Sequence, residues 1–465
     1  MDYTNDSSRT MFTKMQAFVI QAALGLPSRI MLTDPSNKAL TPSETNTYFS
    51  MCNTPSFTTN DFTSISVGKG QHVWAGTSRQ GIYKYNGTAW EKYSAYTNNL
   101  IWDIKADQKG GVWVAQAGYL GSGTTVMTGG INYFPDSNFI GATYFGVVAD
   151  GLPSRNARGL YIDTSRHLTG TNPLIWSAHG AQVTASVTAS GGIGRGFNAA
   201  SPRFTAYRQG LQNTTTQSIN VIGGNSLEIW GAVLNNFGKS QILKYSAVNA
   251  SLIDVIDDST NPGIFPSANF NTSAIYFDKS NRTWIGFYTA GAGLVVNDEI
   301  GLKKLNNSLI LPVNAHVNAN AIVGDKMGNV YIGTDSGLII YSGGPILKDS
   351  SYKRYTKIHG LPDNNIKGIC IDTLRKKLLI ATSNGIIFWN PSCVSNTNQM
   401  PYVTSSNGDL NNAATWCGTG VPPPGSNIVV RHTITITNNI FLQSIRVEAL
   451  GSFTVAAGVD LKVGP

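Results

Sequence analysis

Residues 329–341 read NVYIGTDSGLIIY. A short apolar strand is followed by a tight turn at Asp335-Ser336-Gly337 and a second apolar strand. The same phrase recurs as HVWAGTSRQGIYKY from His72, GVWVAQAG from Gly111, LIWSAHGAQV from Leu174, EIWGAVLNN from Glu228, RTWIGFYTAGAGLVV from Arg282 and KLLIATSNGIIFW from Lys377. Its bulky anchors are Trp74, Trp113, Trp176, Trp230, Trp284, Tyr331 and Leu379, spaced 39, 63, 54, 54, 47 and 48 residues apart. Periods of this size, with one β-meander per unit, mark a propeller or solenoid.

Each unit reads as four strands. In the sixth, NANAIVGD is an inner strand, NVYIGT the second and LIIYS the third, and YKRYTKIHGLPDN carries the fourth into the next unit. Period-2 apolar alternation supports these strands. Asp107, Asp278 and Asp325 open Asp-x-x-Gly or Asp-x-x-Asn turns, where a side-chain acceptor stabilises the bend. A calcium loop needs a denser acidic pattern. Twisted sheets with two apolar faces bury both only by stacking, and a closed ring leaves no exposed end. The expected fold is therefore all-β, a seven-bladed propeller. The seventh unit stops at FWNPS without a fourth strand, and Thr45–Met51 (TNTYFSM) is the expected donor that closes the ring against Gly385–Trp389.

The composition agrees. Only 13% of the 465 residues are charged, against roughly 25% in an average protein. Glutamate occurs five times, at 44, 91, 228, 299 and 448, which disfavours long helices. The net charge of +8 is scattered, with short clusters at Lys303-Lys304, Lys353-Arg354 and Arg375-Lys376-Lys377. A nucleic-acid partner needs a denser stripe and is not expected. No stretch is long enough to span a bilayer as a helix. Met15–Leu26, apolar and preceded by Arg9 and Lys14, reads as a signal peptide with a poor cleavage site or as an apolar element packed on the propeller. Cys52, Cys370, Cys393 and Cys417 form no CxxC pair. Cys370 reads as a buried thiol. Cys393 and Cys417 flank a linker and are placed to pair in an oxidising compartment, though four cysteines allow three complete connectivities.

The pattern I-x-x-D-x-x-G-x-x-W-I-G-T-x-x-G-L resembles the two-component-regulator propeller repeat of periplasmic sensor domains and secreted Bacteroidota surface proteins. The resemblance covers roughly residues 60–392 and is best in units one, six and seven. Unit three departs through TSRHLTGTNPL and a Gly-rich insertion, and unit four has Gly223 where the turn Asp is expected. Residues 407–463 resemble the opening of β-solenoid modules that follow such propellers, through a Trp416 motif, VPPPGSN and the short strands NIVVRHTITIT, SIRVEAL and GSFTVAAGVDLKV. The expected organisation is an N-terminal segment or leader at 1–44, the propeller at 45–393, a linker at 394–406 and a partial β-solenoid at 407–465.

Catalytic signatures are missing: there is no GxSxG, HExxH or GxxxxGK[ST]. No catalytic residue, metal or cofactor is expected. Counting five residues back from the turn position aligns Thr63, Trp102, Arg158, Ser218, Ser273, Asn320 and Lys367 at the starts of the inner strands. On one rim they would combine an indole, two cations and small polar groups, which suits a sugar or acidic oligosaccharide. The long loops AGYLGSGTTVMTGG (117–130) and HGAQVTASVTASGGIGRGF (179–197) would build a wall beside it. The expected ligand-binding set is Trp102, Arg158, Lys367 and Asn320, with Tyr119, His179 and Arg195 from the loops. His179, His316 and His359 come from different units near this face, where a three-histidine metal site is conceivable and ordinary polar histidines are the plainer reading. The expectation is a secreted or cell-surface module (periplasmic as the alternative) that binds or scaffolds an extracellular glycan or other polymer. No transmembrane segment is expected, and attachment to the cell surface is expected to come through a longer C-terminal region. Two alternatives stand beside it: a propeller lyase or hydrolase, and the ligand-sensing domain of a two-component system.

Overall fold

The computed structural model describes residues 47–464 apart from 94–99, 108–109, 118, 121–125, 128, 136–142, 146–149, 170–171, 184–187, 197–202, 213–216, 235–239, 266–269, 290–292, 306–309, 391–400, 418–419 and 449. The expected leader segment and Cys393 lie outside these residues. Seven four-stranded antiparallel sheets follow one another along the chain. Their inner strands are Phe62–Val67, Ile101–Ala106, Asn156–Thr169, Ser218–Gly224, Thr272–Phe277, Val317–Gly324 and Ile366–Asp372. Each inner strand packs beside the next, and the seventh packs beside the first, so the sheets close into a ring of blades 1 to 7.

The anchors fall at one register position. Each pairs across the second strand with the residue three beyond an irregularity in the inner strand: Ser66 faces Trp74, Lys105 Trp113, Tyr161 Trp176, Gly223 Trp230, Tyr276 Trp284, Val323 Tyr331 and Cys370 Leu379. The buried apolar residues divide into seven clusters, one at each blade-to-blade interface. In blades 5 and 6 the polar tip of the anchor is bound by its own turn. Trp284 Nε1 donates to Asp278 Oδ2 at 2.9 Å, and Tyr331 Oη donates to Asp325 Oδ2 at 3.0 Å. The same aspartates accept backbone N–H groups of their turns, from Ser280 at 2.8 Å and Asn329 at 2.9 Å. One carboxylate thus fixes both the bend and the indole or phenol that fills the interface.

Blade 4 corrects the sequence alignment by two residues. Its turn position is Asn225, not Gly223: Asn225 Oδ1 accepts from Leu227 N at 2.8 Å and Glu228 N at 2.9 Å. The turn is one residue shorter, and an amide replaces the carboxylate. Glu228 supplies the missing acceptor for the anchor, taking Trp230 Nε1 at 2.8 Å.

Ring closure follows the expected donor. Thr47, Tyr48 and Phe49 pair antiparallel with Phe388, Ile387 and Ile386 as the fourth strand of blade 7. Phe49 packs its ring 5.2 Å from Phe388, 5.3 Å from Tyr85 and 5.7 Å from Trp90, joining blade 7 to blade 1.

Beyond the propeller, two parallel sheets stack in rungs. One contains Tyr402–Val403, Ser426–Val430, Ile440–Val447 and Leu461–Val463, the other Gly408–Asp409, Thr433–Ile436 and Ser452–Val455. Tyr402 already belongs to the first sheet, so the solenoid begins inside the stretch 394–406 that reads as linker. Trp416 is buried in its core and donates from Nε1 to Leu410 O at 2.7 Å. The disulfide corrects the local pairing expected from sequence: Cys417 bonds to Cys52, 365 residues away, with the Cα atoms 6.2 Å apart. Arg431 reinforces the same junction. It donates to Cys52 O at 2.5 Å and pairs with Glu448 at 2.7 Å.

Phe49→Ala is expected to destabilise the protein by about 2–3 kcal/mol, below the 3–5 of a fully buried phenylalanine because the ring is half-buried. Tyr144→Ala, in an exposed position on the outer strand of blade 2, serves as the control. Equal melting temperatures for the two variants would contradict closure through Phe49.

Candidate functional site

The irregularity in each inner strand decides where its side chains point. Pairing skips one residue between Phe62 and Ser64, Ile101 and Asp103, Ala157 and Gly159, Ile219 and Val221, Thr272 and Ala274, and Ile366 and Gly368. In blade 6 the skip runs from Val317 to Ile322. A bulge of this kind leaves its extra residue unpaired and re-aims the side chain. The skipped residues are Thr63, Trp102, Arg158, Asn220, Ser273 and Lys367, with Asn320 inside the wider bulge at φ 50°. Asparagine tolerates that left-handed backbone better than most residues. Five of the seven positions aligned from the sequence sit on single-residue bulges, and Asn320 sits in the wide one. Blade 4 is corrected from Ser218 to Asn220 by the same two-residue shift as its turn.

These residues form a collar near the starts of the inner strands. This is the upper face, which also carries the second-to-third-strand turns and the blade-to-blade connections. The collar is cross-tied. Arg158 Nη1 donates to Asn220 Oδ1 at 2.5 Å, and its guanidinium carbon lies 5.5 Å from the centre of the Trp102 ring. One indole face expected to be open to a sugar is therefore covered by Arg158. Thr63 Oγ1 donates to Ile101 O at 2.6 Å. Burial pulls the Arg158 guanidinium below its ordinary pKa, while the nearby Tyr288 phenol opposes that shift. Burial also pushes Tyr288 up to about 12. Three buried polar atoms of the collar, Trp102 Nε1, Arg158 Nε and Ser273 Oγ, have no hydrogen-bond partner among the described residues. Neither Arg158 nor Lys367 has a carboxylate within ion-pair distance among them. Asp103, next in chain to Trp102, is fully engaged. It accepts from Ser64 Oγ at 3.1 Å and Leu160 N at 3.0 Å, and it pairs with Lys105 at 3.2 Å.

The loop residues behave differently. Arg195 does not lie in a loop. It sits in the third strand of blade 3, opposite Trp176, with its guanidinium 5.4 Å from that ring and Nη2 donating to Val248 O at 2.9 Å. His179 ends the second strand of the same blade and is wholly buried. Its Nδ1 is 2.7 Å from Ser154 O and its Nε2 2.9 Å from Ser177 Oγ. For Arg195 the cause is the Gly-rich run, which reads as loop but forms the strand Gly192–Gly196, where Gly194 fits the crowded approach to Ser177. Tyr119 pairs through its backbone with Met127 in a two-stranded arm of the blade 2 loop. Gln182–Val183 and Thr188–Ala189 make a similar arm in blade 3. The side chain of Tyr119 is outside the described residues. His316 pairs with Asp335 at 3.0 Å, and His359 accepts from Thr356 N at 3.0 Å within its turn. The three histidines are not brought together, and the described residues hold no cluster suited to a metal.

The channel below the collar, reaching up to Asn320, holds a feature that no sequence motif marks. A cavity of about 470 Å³ is lined by Lys105, Tyr161, Tyr276, Asp278 and Asn320 together with inner-strand aliphatics. In its wall, Gly223 and Gly224 stand where an added Cβ would strike Ile275 and Tyr161.

No family profile matches the sequence, and no curated protein matches it. Solved structures do match. The extracellular domain of the hybrid two-component system BT3049 of B. thetaiotaomicron aligns at 18% identity with a TM-score of 0.54, over 78% of this chain. The chain shares the propeller fold of that extracellular domain. It spans 43% of the length of the BT3049 structure. The extracellular domain of BT4673, from the same organism, aligns at 15% identity and a TM-score of 0.48, over 75% of this chain and 40% of its own. YCF48, solved bound to a D1 peptide, aligns at 11% identity and a TM-score of 0.50, over 74% of this chain and 94% of its own. No helix among the described residues is long and apolar enough to cross a membrane.

Burial holds the pKa of His179 down to about 3, against an ordinary 6.5. The unfolded chain binds this proton below 6.5 and the folded chain does not until about 3. The contribution is present above 6.5 and is lost as pH falls through that window, by up to about 1.4 kcal/mol per pH unit. His179→Gln is expected to flatten this part of the stability–pH curve, read by urea unfolding. An unchanged slope would show that His179 is not buried neutral.

Proposed function

We propose that this propeller is the ligand-binding part of an extracellular binding or sensing protein, and that its upper mouth receives an acidic glycan or similar polyanion. The observation that carries this reading is the pair of collar cations, Arg158 and Lys367, which lack a carboxylate partner among the described residues. Guanidinium groups bind carboxylates in a planar, bidentate way, and low local dielectric strengthens the contact. Trp102 holds the Arg158 plane from one side, so it acts as an orienting support for the cation as well as a stacking surface. The two-stranded arms of blades 2 and 3 rise from the same face and would flank a bound chain. The shared fold of the BT3049 extracellular domain supports sensing or capture outside the cytoplasm. Asp103 is committed to two hydrogen bonds and an ion pair, which favours binding over acid–base turnover.

Isothermal titration against acidic and neutral oligosaccharides tests the reading. Arg158→Ala or Lys367→Ala should weaken an acidic ligand by roughly ten- to a hundred-fold, the worth of a charge-assisted contact of about 1.5–3 kcal/mol. Trp102→Ala should weaken it less. Binding unchanged in all three variants would remove the collar as the site. Turnover of a polysaccharide, lost on replacing Asp103, would favour the enzyme alternative instead.

A further inference from the structure

Six large apolar side chains of the propeller stand 61–87% exposed on the face opposite the collar. Leu227, Met327 and Leu374 lie in first-to-second-strand turns, and Val248, Ile300 and Leu347 lie in third-to-fourth-strand turns. In an antiparallel meander these two kinds of turn share one face, here that of blades 4 to 7. On the upper face, among the described propeller residues, Val313 alone is exposed to that degree.

The turns do not need these side chains. Leu227, Ile300, Met327 and Leu374 each donate their backbone N–H to a turn Asn or Asp, at 2.8–3.0 Å. The same position is held by Ser280 in blade 5 and Ser165 in blade 3, on Asp278 and Asp163, with N–H contacts of 2.8 and 2.9 Å. Serine satisfies the geometry at least as well. The apolar tips are therefore presented rigidly to the outside without serving the turn or the core.

Exposed lysines outnumber exposed carboxylates on the same face. Lys279, Lys326, Lys348 and Lys376 are exposed and make no ion pair among the described residues. Lys326 adjoins Met327, Lys348 adjoins Leu347, and Lys376 follows Leu374 by two. The exposed carboxylates here are Glu299 and Asp349. Asp278, Asp298, Asp372 and Glu228 are bound by Arg282, Lys303, Arg375 and Lys244, and the half-buried Asp325 is held by hydrogen bonds within its turn. The solenoid is fastened to the upper face through Cys52 and leaves the lower face uncovered.

We propose that the lower face of blades 4 to 7 docks on a phospholipid bilayer carrying anionic headgroups. The tips would enter the boundary between headgroups and acyl chains, while the lysines remain at phosphate level. Apolar points on separate turns, three of them with a lysine within two residues, suit a fluid surface. Docking in this orientation turns the collar away from the membrane.

Co-sedimentation of the full chain with phosphatidylcholine vesicles, with and without phosphatidylglycerol, tests the proposal. Partitioning onto the anionic vesicles is expected, falling about tenfold or more in Met327→Ser/Leu374→Ser and in Lys326→Gln/Lys376→Gln, because both apolar burial and surface charge are required. Val313→Ser should bind as the unaltered chain does, and melting temperatures should match because the tips pack against nothing. No partitioning onto anionic vesicles would overturn the proposal. So would a loss confined to the lysine variant, which would mean adsorption by charge alone, or equal binding by the Met327→Ser/Leu374→Ser variant.

Discussion

Seven twisted sheets form a stable ring only when the seventh interface is as complete as the other six. The contact that meets this condition here is the strand Thr47–Phe49 laid on Ile386–Phe388, with Phe49 seated among Phe388, Tyr85 and Trp90. Without it, blade 7 would keep three strands and expose an unpaired edge. The interface between blades 7 and 1 would also lose an aromatic ring. Every inner strand depends on this closure, because the angle between neighbouring blades fixes the channel. The collar therefore depends on it as well. Arg158 meets Asn220 and Trp102 from three different blades, and such a contact survives only if the blades hold their angles.

The second level of order is local. A turn Asp or Asn binds backbone N–H groups, and in blades 5 and 6 the same carboxylate also holds the tip of the anchor. Sheet, turn and interface are thereby set by one short motif, which explains why the repeat tolerates long insertions elsewhere. Blade 4 shows the limits of the motif. Asn225 keeps the bend, and Glu228 takes over the indole.

Much of this was legible in the sequence because the physics is periodic. The anchors, the turn aspartates, the closing strand and most of the collar all follow from counting along a repeat whose strands must stack. The failures occurred where the count was locally altered or where contacts are long-range. A turn one residue shorter displaced the blade 4 alignment, so Asn220 was missed. The glycine-rich strand reads as a loop, which places Arg195 at the upper mouth, whereas it reaches Val248 near the lower face; His179 is at the upper end of its strand but wholly buried. The Cys52–Cys417 bond joins residues that only the closed ring and the solenoid bring together. The lower cavity is lined from five inner strands, and no single residue encodes it.

Hydrogen exchange read by mass spectrometry addresses closure directly. The amides of Thr47 and Phe49, which face the partner strand, should exchange as slowly as the paired amides of Gly385–Trp389 and of the blade 1 inner strand, because they would open only by global unfolding. Exchange of Thr47 and Phe49 within seconds, while Gly385–Trp389 stays protected, would contradict the account of a ring closed by this strand.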